Sequence, residues 1–328
     1  MSPIIVAVVF LALLYAFLNG VNDGSNIVAT MISSRAFSPH VARGITAVSE
    51  FLGPFVFGIA VAKTIGHDIV NADAISTQVI LAALLSAISW NTLAWYLGFP
   101  SSSSHALVGG ILGAVVMGAG WQAVRLSGLE KTLIPLFISP VIGFGIGFMI
   151  LRIVMGLSWD ATPIINDFFK RSQILTVIAL GLSHGSNDGP KTMGVITLAL
   201  ITEGYLKTFA VPTWVILLSA LALAAGAAAG GQKLVRTVGG RFYKIEPMDA
   251  FASQLSSAVV IMTASLIGGP VSATQVISSA VMGVGAGERP NKVRWGLARD
   301  IVTAWFLTIP ATALVAAGIY WLLVRRLQ

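Results

Sequence analysis

Six apolar runs, each close to the length of a membrane-crossing helix, dominate this chain: 41–62, 76–98, 132–155, 210–231, 249–268 and 297–322. About 20 apolar residues in a helix cover the hydrocarbon core of a bilayer. No water reaches the backbone there, so every N–H and C=O must be paired within the protein, and helices do this for single runs. The expected fold class is therefore all-α and polytopic. Composition agrees, because 56% of the 328 residues are apolar and 10% are charged, against about 25% charged in soluble domains. The first run, "MSPIIVAVVF", lacks a basic leader and a small-residue cleavage pattern and reads as a retained helix. Cysteine is absent, which excludes disulfide and thiol chemistry. The net charge of +7 matches the basic loops by which membrane proteins orient, and calls for no nucleic acid.

Four more segments, 3–35, 100–120, 172–203 and 270–286, are apolar but carry polar, Gly-rich or Pro-marked interruptions. They are expected to be broken or re-entrant helices, since Gly and Pro at this depth free backbone groups that need other partners. Counting each as one crossing gives about ten crossings.

The two halves repeat. "FPSSSSHALVGGILG" (99–113) aligns without gaps on "GPVSATQVISSAVMG" (269–283) at an offset of 170, which also places Pro140 on Pro310. "VNDGSN" (21–26) aligns on "SNDGPK" (186–191) at 165, and "KTIG" (63–66) on "RTVG" (236–239) at 173. The expected organisation is a first repeat over 1–155, a connecting loop over 156–170 and a second repeat over 171–328. In the second repeat, the loops around 232–249 and 287–299 carry Lys233, Arg236, Arg241, Lys244, Arg289, Lys292, Arg294 and Arg299. The corresponding first-repeat loops carry Lys63, Arg125 and Lys131. Cytoplasmic loops are enriched in Lys and Arg, so equivalent loops face opposite sides and the repeats are inverted, with both termini extracytoplasmic. Arg325 and Arg326 at the outer end run against that orientation. Inverted repeats with interrupted helices are the architecture of secondary transporters, whose site lies near the bilayer midplane. No phosphate-binding P-loop is present to drive an ATP-powered pump.

Asp23, Glu50, Asp188 and Lys191 are the acidic and basic residues that fall inside the apolar segments away from the loops and segment ends. Each costs at least about 2.5–3.5 kcal/mol at the bilayer centre and reads as functional by default. A buried Asp188–Lys191 ion pair is the structural alternative. It leaves unexplained why Asp23 recurs at the equivalent position, where Asn26 replaces the lysine. The Asn22-Asp23 and Asn187-Asp188 pairs supply oxygen ligands suited to a small hard cation. A lone His184 is more often a hydrogen-bonded structural residue than a metal ligand. "PSSSSH" and "PVSATQ" place hydroxyls at helix starts, where exposed N–H groups and the helix dipole attract an anion; plain capping is the alternative. "SSH" (103–105) lacks the nucleophile elbow of a hydrolase, so no enzyme activity is expected.

At these residues the chain resembles the inorganic phosphate transporter (PiT) family, which carries Gly-x-Asn-Asp and Pro-Val-Ser-Thr-Thr-His signatures in each half. "NGVNDGSN" and "HGSNDGPKTMG" resemble the first closely; "FPSSSSH" and "GPVSATQ" resemble the second with departures. The large central hydrophilic loop of some members is missing, leaving a minimal transport core. The resemblance implies phosphate import coupled to sodium or protons at the cell membrane, with no cofactor. It assigns Asn22, Asp23, Asn187 and Asp188 to cation sites, sodium binding to Asp23 and Asp188 if sodium couples. It assigns Ser102, Ser103, Ser104, Ser272 and Thr274 to the anion, with Asn26 and Lys191 close by. Ala273 and Gln275 stand where the family usually has Thr and His, which keeps a sulfate permease open. An anion channel is the remaining non-enzymatic rival. Glu50, whose counterpart at offset 173 is Leu223, is a proton site, a cation ligand or a partner for Lys191. The implied partners are phosphate, the coupling cation and the lipid bilayer; homo-oligomer formation is left open.

Overall fold

A computed structural model describes residues 2–70, 75–97, 101–160, 162, 164–230 and 243–327. Lys233, Arg236, Arg241 and the 236–239 match of the repeat lie outside the described residues, as do Phe99 and Pro100. Eleven α-helices follow one another among the described residues: α1 (Pro3–Ser33), α2 (Pro39–Phe57), α3 (Ala60–Lys63, continued by a π-turn to Asp68), α4 (Thr77–Leu97), α5 (Ser103–Ala119), α6 (Leu126–Leu157), α7 (Ile165–Thr202), α8 (Thr213–Ala229), α9 (Pro247–Leu266), α10 (Ala273–Glu288) and α11 (Trp295–Leu327). Every apolar run and every interrupted segment of the sequence overlaps one of them.

The helix starts follow from local chemistry. Ser2 and Ser38 each stand before a proline and accept a bond from a first-turn N–H. Proline at N1 loses nothing, because its N–H would have no intrahelical partner. α4, α6 and the Ile301–Arg325 part of α11 are long and apolar enough to cross a bilayer, as is α1. α2 and the segment Ala60–Asp68 are together apolar enough for a broken span or a re-entrant loop, bent by 79°, and the bend sits at Gly58, whose φ of 83° favours glycine. α5 and α8 are shorter apolar helices. This is a multi-pass membrane protein.

Two expectations need correction. The interruptions at 100–120 and 270–286 do fall between helices, but those in 3–35 and 172–203 do not break them: α1 and α7 run helical through Asn22-Asp23 and Asn187-Asp188. The polar side chains find partners on other helices, so the backbone keeps its own bonds. The glycines serve close packing instead, as small residues do between membrane helices. The second correction is small: α7 begins at Ile165, inside the expected 156–170 connection.

Helix packing comes in equivalent pairs. α1 packs on α8 and α7 on α2; α5 packs on α11 and α10 on α6; α4 contacts α1 as α9 contacts α7. Four of these six pairings cross between halves, so the halves interlock.

Candidate functional site

The two Asn-Asp motifs sit mid-helix on α1 and α7, and the two hydroxyl-rich segments begin α5 and α10. All four meet in one buried cluster. Asp23, Glu50, His184, Asp188 and Lys191 are each at most 1% exposed. Asp23, His184 and Asp188 offer ligand atoms within 4.8 Å of one another, so the carboxylates from equivalent positions converge.

Asp23 is bonded by both hydroxyl-bearing helix starts. Ser103 Oγ donates to its Oδ2 at 3.0 Å and Thr274 Oγ1 donates to its Oδ1. Asn26 Nδ2 donates to Thr274 Oγ1 at 3.0 Å and lies 3.5 Å from Asp23 Oδ1. Asp188 has different neighbours: Asn19 Nδ2 donates to Oδ2 at 2.8 Å, Lys191 Nζ donates to Oδ1 at 2.7 Å, and His184 Nε2 lies 3.4 Å away. Lys191 also donates to Ser104 Oγ at 2.5 Å and to the Val271 carbonyl at 2.7 Å. An ammonium has three donors, and all of them are engaged.

Ser102 and Ser272 cap α5 and α10, accepting from His105 N at 3.1 Å and Gln275 N at 3.4 Å. The two starts touch, because Ser104 Oγ donates to the Val271 carbonyl at 2.9 Å. Gln275 Nε2 lies 3.4 Å from His105 Nδ1, so the residue standing in the usual histidine position faces its own repeat counterpart. Capping and a converged pair of helix N-termini are both present, and the second is what an oxyanion needs.

The two motif asparagines differ. Asn187 is fully engaged: its Nδ2 donates to Ser265 Oγ at 3.0 Å and Gly269 O at 3.1 Å, and its Oδ1 accepts from Val271 N at 3.1 Å. It ties α7 to the segment before α10. Asn22 makes one long bond, to Asn91 O at 3.4 Å, and its Oδ1 has no partner. The Oδ1 atoms of Asn19 and Asn26 and both Glu50 oxygens are likewise buried without an aligned donor. Glu50 pairs with His184, Oε1 to Nδ1 at 3.0 Å though off the hydrogen-bond line, and not with Lys191.

Sequence reasoning missed Asn19 and undervalued His184. The two are equivalent at offset 165, so extending the repeat alignment one helical turn would have found both. The cluster holds three carboxylates, Asp23, Glu50 and Asp188. Even a doubly protonated His184 together with Lys191 supplies only two positive charges. With all three ionised, the buried negative charge exceeds the positive, and several amide and carboxylate oxygens beside it lack an aligned donor; a proton on one carboxyl or a bound cation would each balance it.

Residues 19–316 match the phosphate transporter family. A probable low-affinity inorganic phosphate transporter of Bacillus subtilis is 42% identical, with 97% of this chain and 96% of that protein covered. One of Rhizobium meliloti is 40% identical over 97% of this chain and 96% of its own length. A solved structure described as "The sodium-dependent phosphate transporter" superposes with a TM-score of 0.88 at 26% identity, covering 98% of this chain and 99% of that one. The paired motifs, the helical fold and these full-length likenesses agree: this chain belongs to the phosphate transporter family, whose members are transporters and not enzymes.

Proposed function

We propose that this protein imports inorganic phosphate across the cell membrane by symport with a monovalent cation, sodium or proton. The observation that carries the reading is Asp23, whose two carboxylate oxygens take hydroxyl bonds from Ser103 on α5 and Thr274 on α10. Those hydroxyls sit at the helix starts suited to the anion, while the carboxylate suits the cation. Without a cation, Asp23 holds both hydroxyls. A cation on Asp23 neutralises it and competes for its oxygens, freeing Ser103 and Thr274 to turn toward phosphate. Each ligand thus favours the arrangement the other needs, which is positive coupling between two sites.

The cation would sit among Asp23, Asn22 and the unpaired oxygens of Asn19, Asn26 and Glu50. Asp188 contributes negative charge beside it, and Asn187 holds the α10 approach in place. Phosphate would lie between the starts of α5 and α10, contacted by Ser102, Ser103, Ser104, Ser272 and Thr274. The paired packing of equivalent helices and the loop charges support two repeats of inverted topology with both termini outside, rocking about this centre.

Uptake of radiolabelled phosphate and sulfate into proteoliposomes, under separately imposed sodium and proton gradients, tests the reading. Phosphate accumulation driven by one gradient is expected. Downhill flux indifferent to both would replace it with a channel, and preferential sulfate uptake would replace the substrate.

A further inference from the structure

Lys191 and Asn26 hold equivalent positions 165 residues apart, and the fold treats them alike at first. Asn26 Nδ2 reaches Thr274 Oγ1 at 3.0 Å, and Lys191 Nζ reaches Ser104 Oγ at 2.5 Å. Thr274 and Ser104 are themselves equivalent at offset 170. Each polar group also approaches the motif aspartate three residues before it, Asp23 Oδ1 at 3.5 Å and Asp188 Oδ1 at 2.7 Å.

The likeness stops at the oxygens. Lys191 Nζ is enclosed by a carboxylate oxygen, a hydroxyl oxygen and a peptide carbonyl, at 2.7, 2.5 and 2.7 Å. That donor set is the one a hard cation takes from a protein, and here the ammonium takes it. On the Asn26 side no cationic side chain is present: Asp23 and Thr274 are held by neutral donors, and neighbouring amide and carboxylate oxygens stay unpaired. Among the described residues, every buried amide or carboxylate oxygen lacking an aligned donor belongs to the first half: Asn19, Asn22, Asn26 and Glu50. The second-half counterparts offer none, since Asn187 spends both ends of its amide and Asp188 takes Asn19 and Lys191 on its two oxygens.

We infer that the Lys191 ammonium is a tethered cation standing permanently in the second half's cation position, so that an exchangeable cation loads only in the first half. Lys191 thereby sets the coupling stoichiometry. It supplies positive charge beside Ser104 without crossing the membrane, and one fewer ion moves per phosphate than in a chain with asparagine at both positions. The inference rests on the cation-symport reading above.

Sodium binding by the purified full-length chain, measured with 22Na+ by equilibrium dialysis, tests it. The wild-type chain is expected to bind no more than one sodium, Lys191→Arg the same number, and Lys191→Asn one more than wild type. Reversal potentials of phosphate flux in proteoliposomes should show the matching gain of one cation per phosphate in Lys191→Asn. Two sodium ions on the wild-type chain would overturn the inference whether or not the variants fold. So would a folded Lys191→Asn chain whose count and reversal potential equal those of wild type. Wild-type uptake indifferent to every cation gradient would sink the symport reading instead, an outcome distinct from either count.

Discussion

Gly185 of α7 lies against the backbone of Glu50 on α2: a methyl group added to Gly185 would stand 2.1 Å from the Glu50 carbonyl oxygen. Gly20, its equivalent on α1, stands in the same relation to Leu223 on α8, at 2.0 Å. Backbone cannot yield as a flexible side chain can. Gly185→Ala and Gly20→Ala should each destabilise the protein by about 1–3 kcal/mol, the usual cost of overpacking, and lower the melting temperature in detergent. Gly145→Ala, where nothing lies within 4 Å, should leave it unchanged. Equal melting curves for all three would remove close approach as the reason for these glycines.

Asp23→Asn keeps the volume of the side chain and removes its charge. Hydrogen bonds to charged groups contribute about 1.5–3 kcal/mol, so gradient-driven phosphate uptake should fall at least about tenfold. The variant should still purify as a folded membrane protein. Wild-type uptake by Asp23→Asn would exclude this carboxylate from coupling.

Ser103 and Thr274 come from different halves and bond the two oxygens of one carboxylate. Ser103→Ala and Thr274→Val should each raise the KM for phosphate. Their effects should not add, since groups sharing a partner couple by about 0.5–3 kcal/mol. A double-mutant cycle on uptake measures this, and strict additivity would mean that the two hydroxyls act independently.

The equivalent asparagines should respond in opposite ways. Asn187→Ala breaks three buried bonds and strands a buried peptide N–H, a loss of about 1–3 kcal/mol visible in thermal melts. Asn22→Ala breaks one bond at 3.4 Å and should melt near wild type while uptake demands more of the driving cation. A reversed pattern would exchange the structural and ligand roles assigned to them.

Helix positions were legible because each needs only a run of apolar residues, and that information is local. The repeat was legible for the same reason, and it led to both Asp23 and Asp188. The glycines of "NGVNDG" and "HGSNDG" misled, since a glycine serves equally to unwind a helix or to admit another backbone. What decides between the two uses is the partner: Glu50 for Gly185 and Leu223 for Gly20, on other helices. Glu50 itself could be marked as buried and ionisable, but its pairing with His184 depends on α2 packing against α7. The fold was thus largely readable, whereas the bonding within the site depends on contacts between distant segments.

The interlocking of the halves also bears on how the protein is made. α5 ends at Ala119, but α11, on which it packs, begins at Trp295. At 5–20 residues per second, α5 waits roughly 10–35 s for that partner to leave the ribosome. Lys191 and the start of α10 lie 72 and 154 residues beyond Ala119, so the serines at 102–104 are also made well before either of those partners. The first half therefore carries an unfinished polar surface until the second half closes over it.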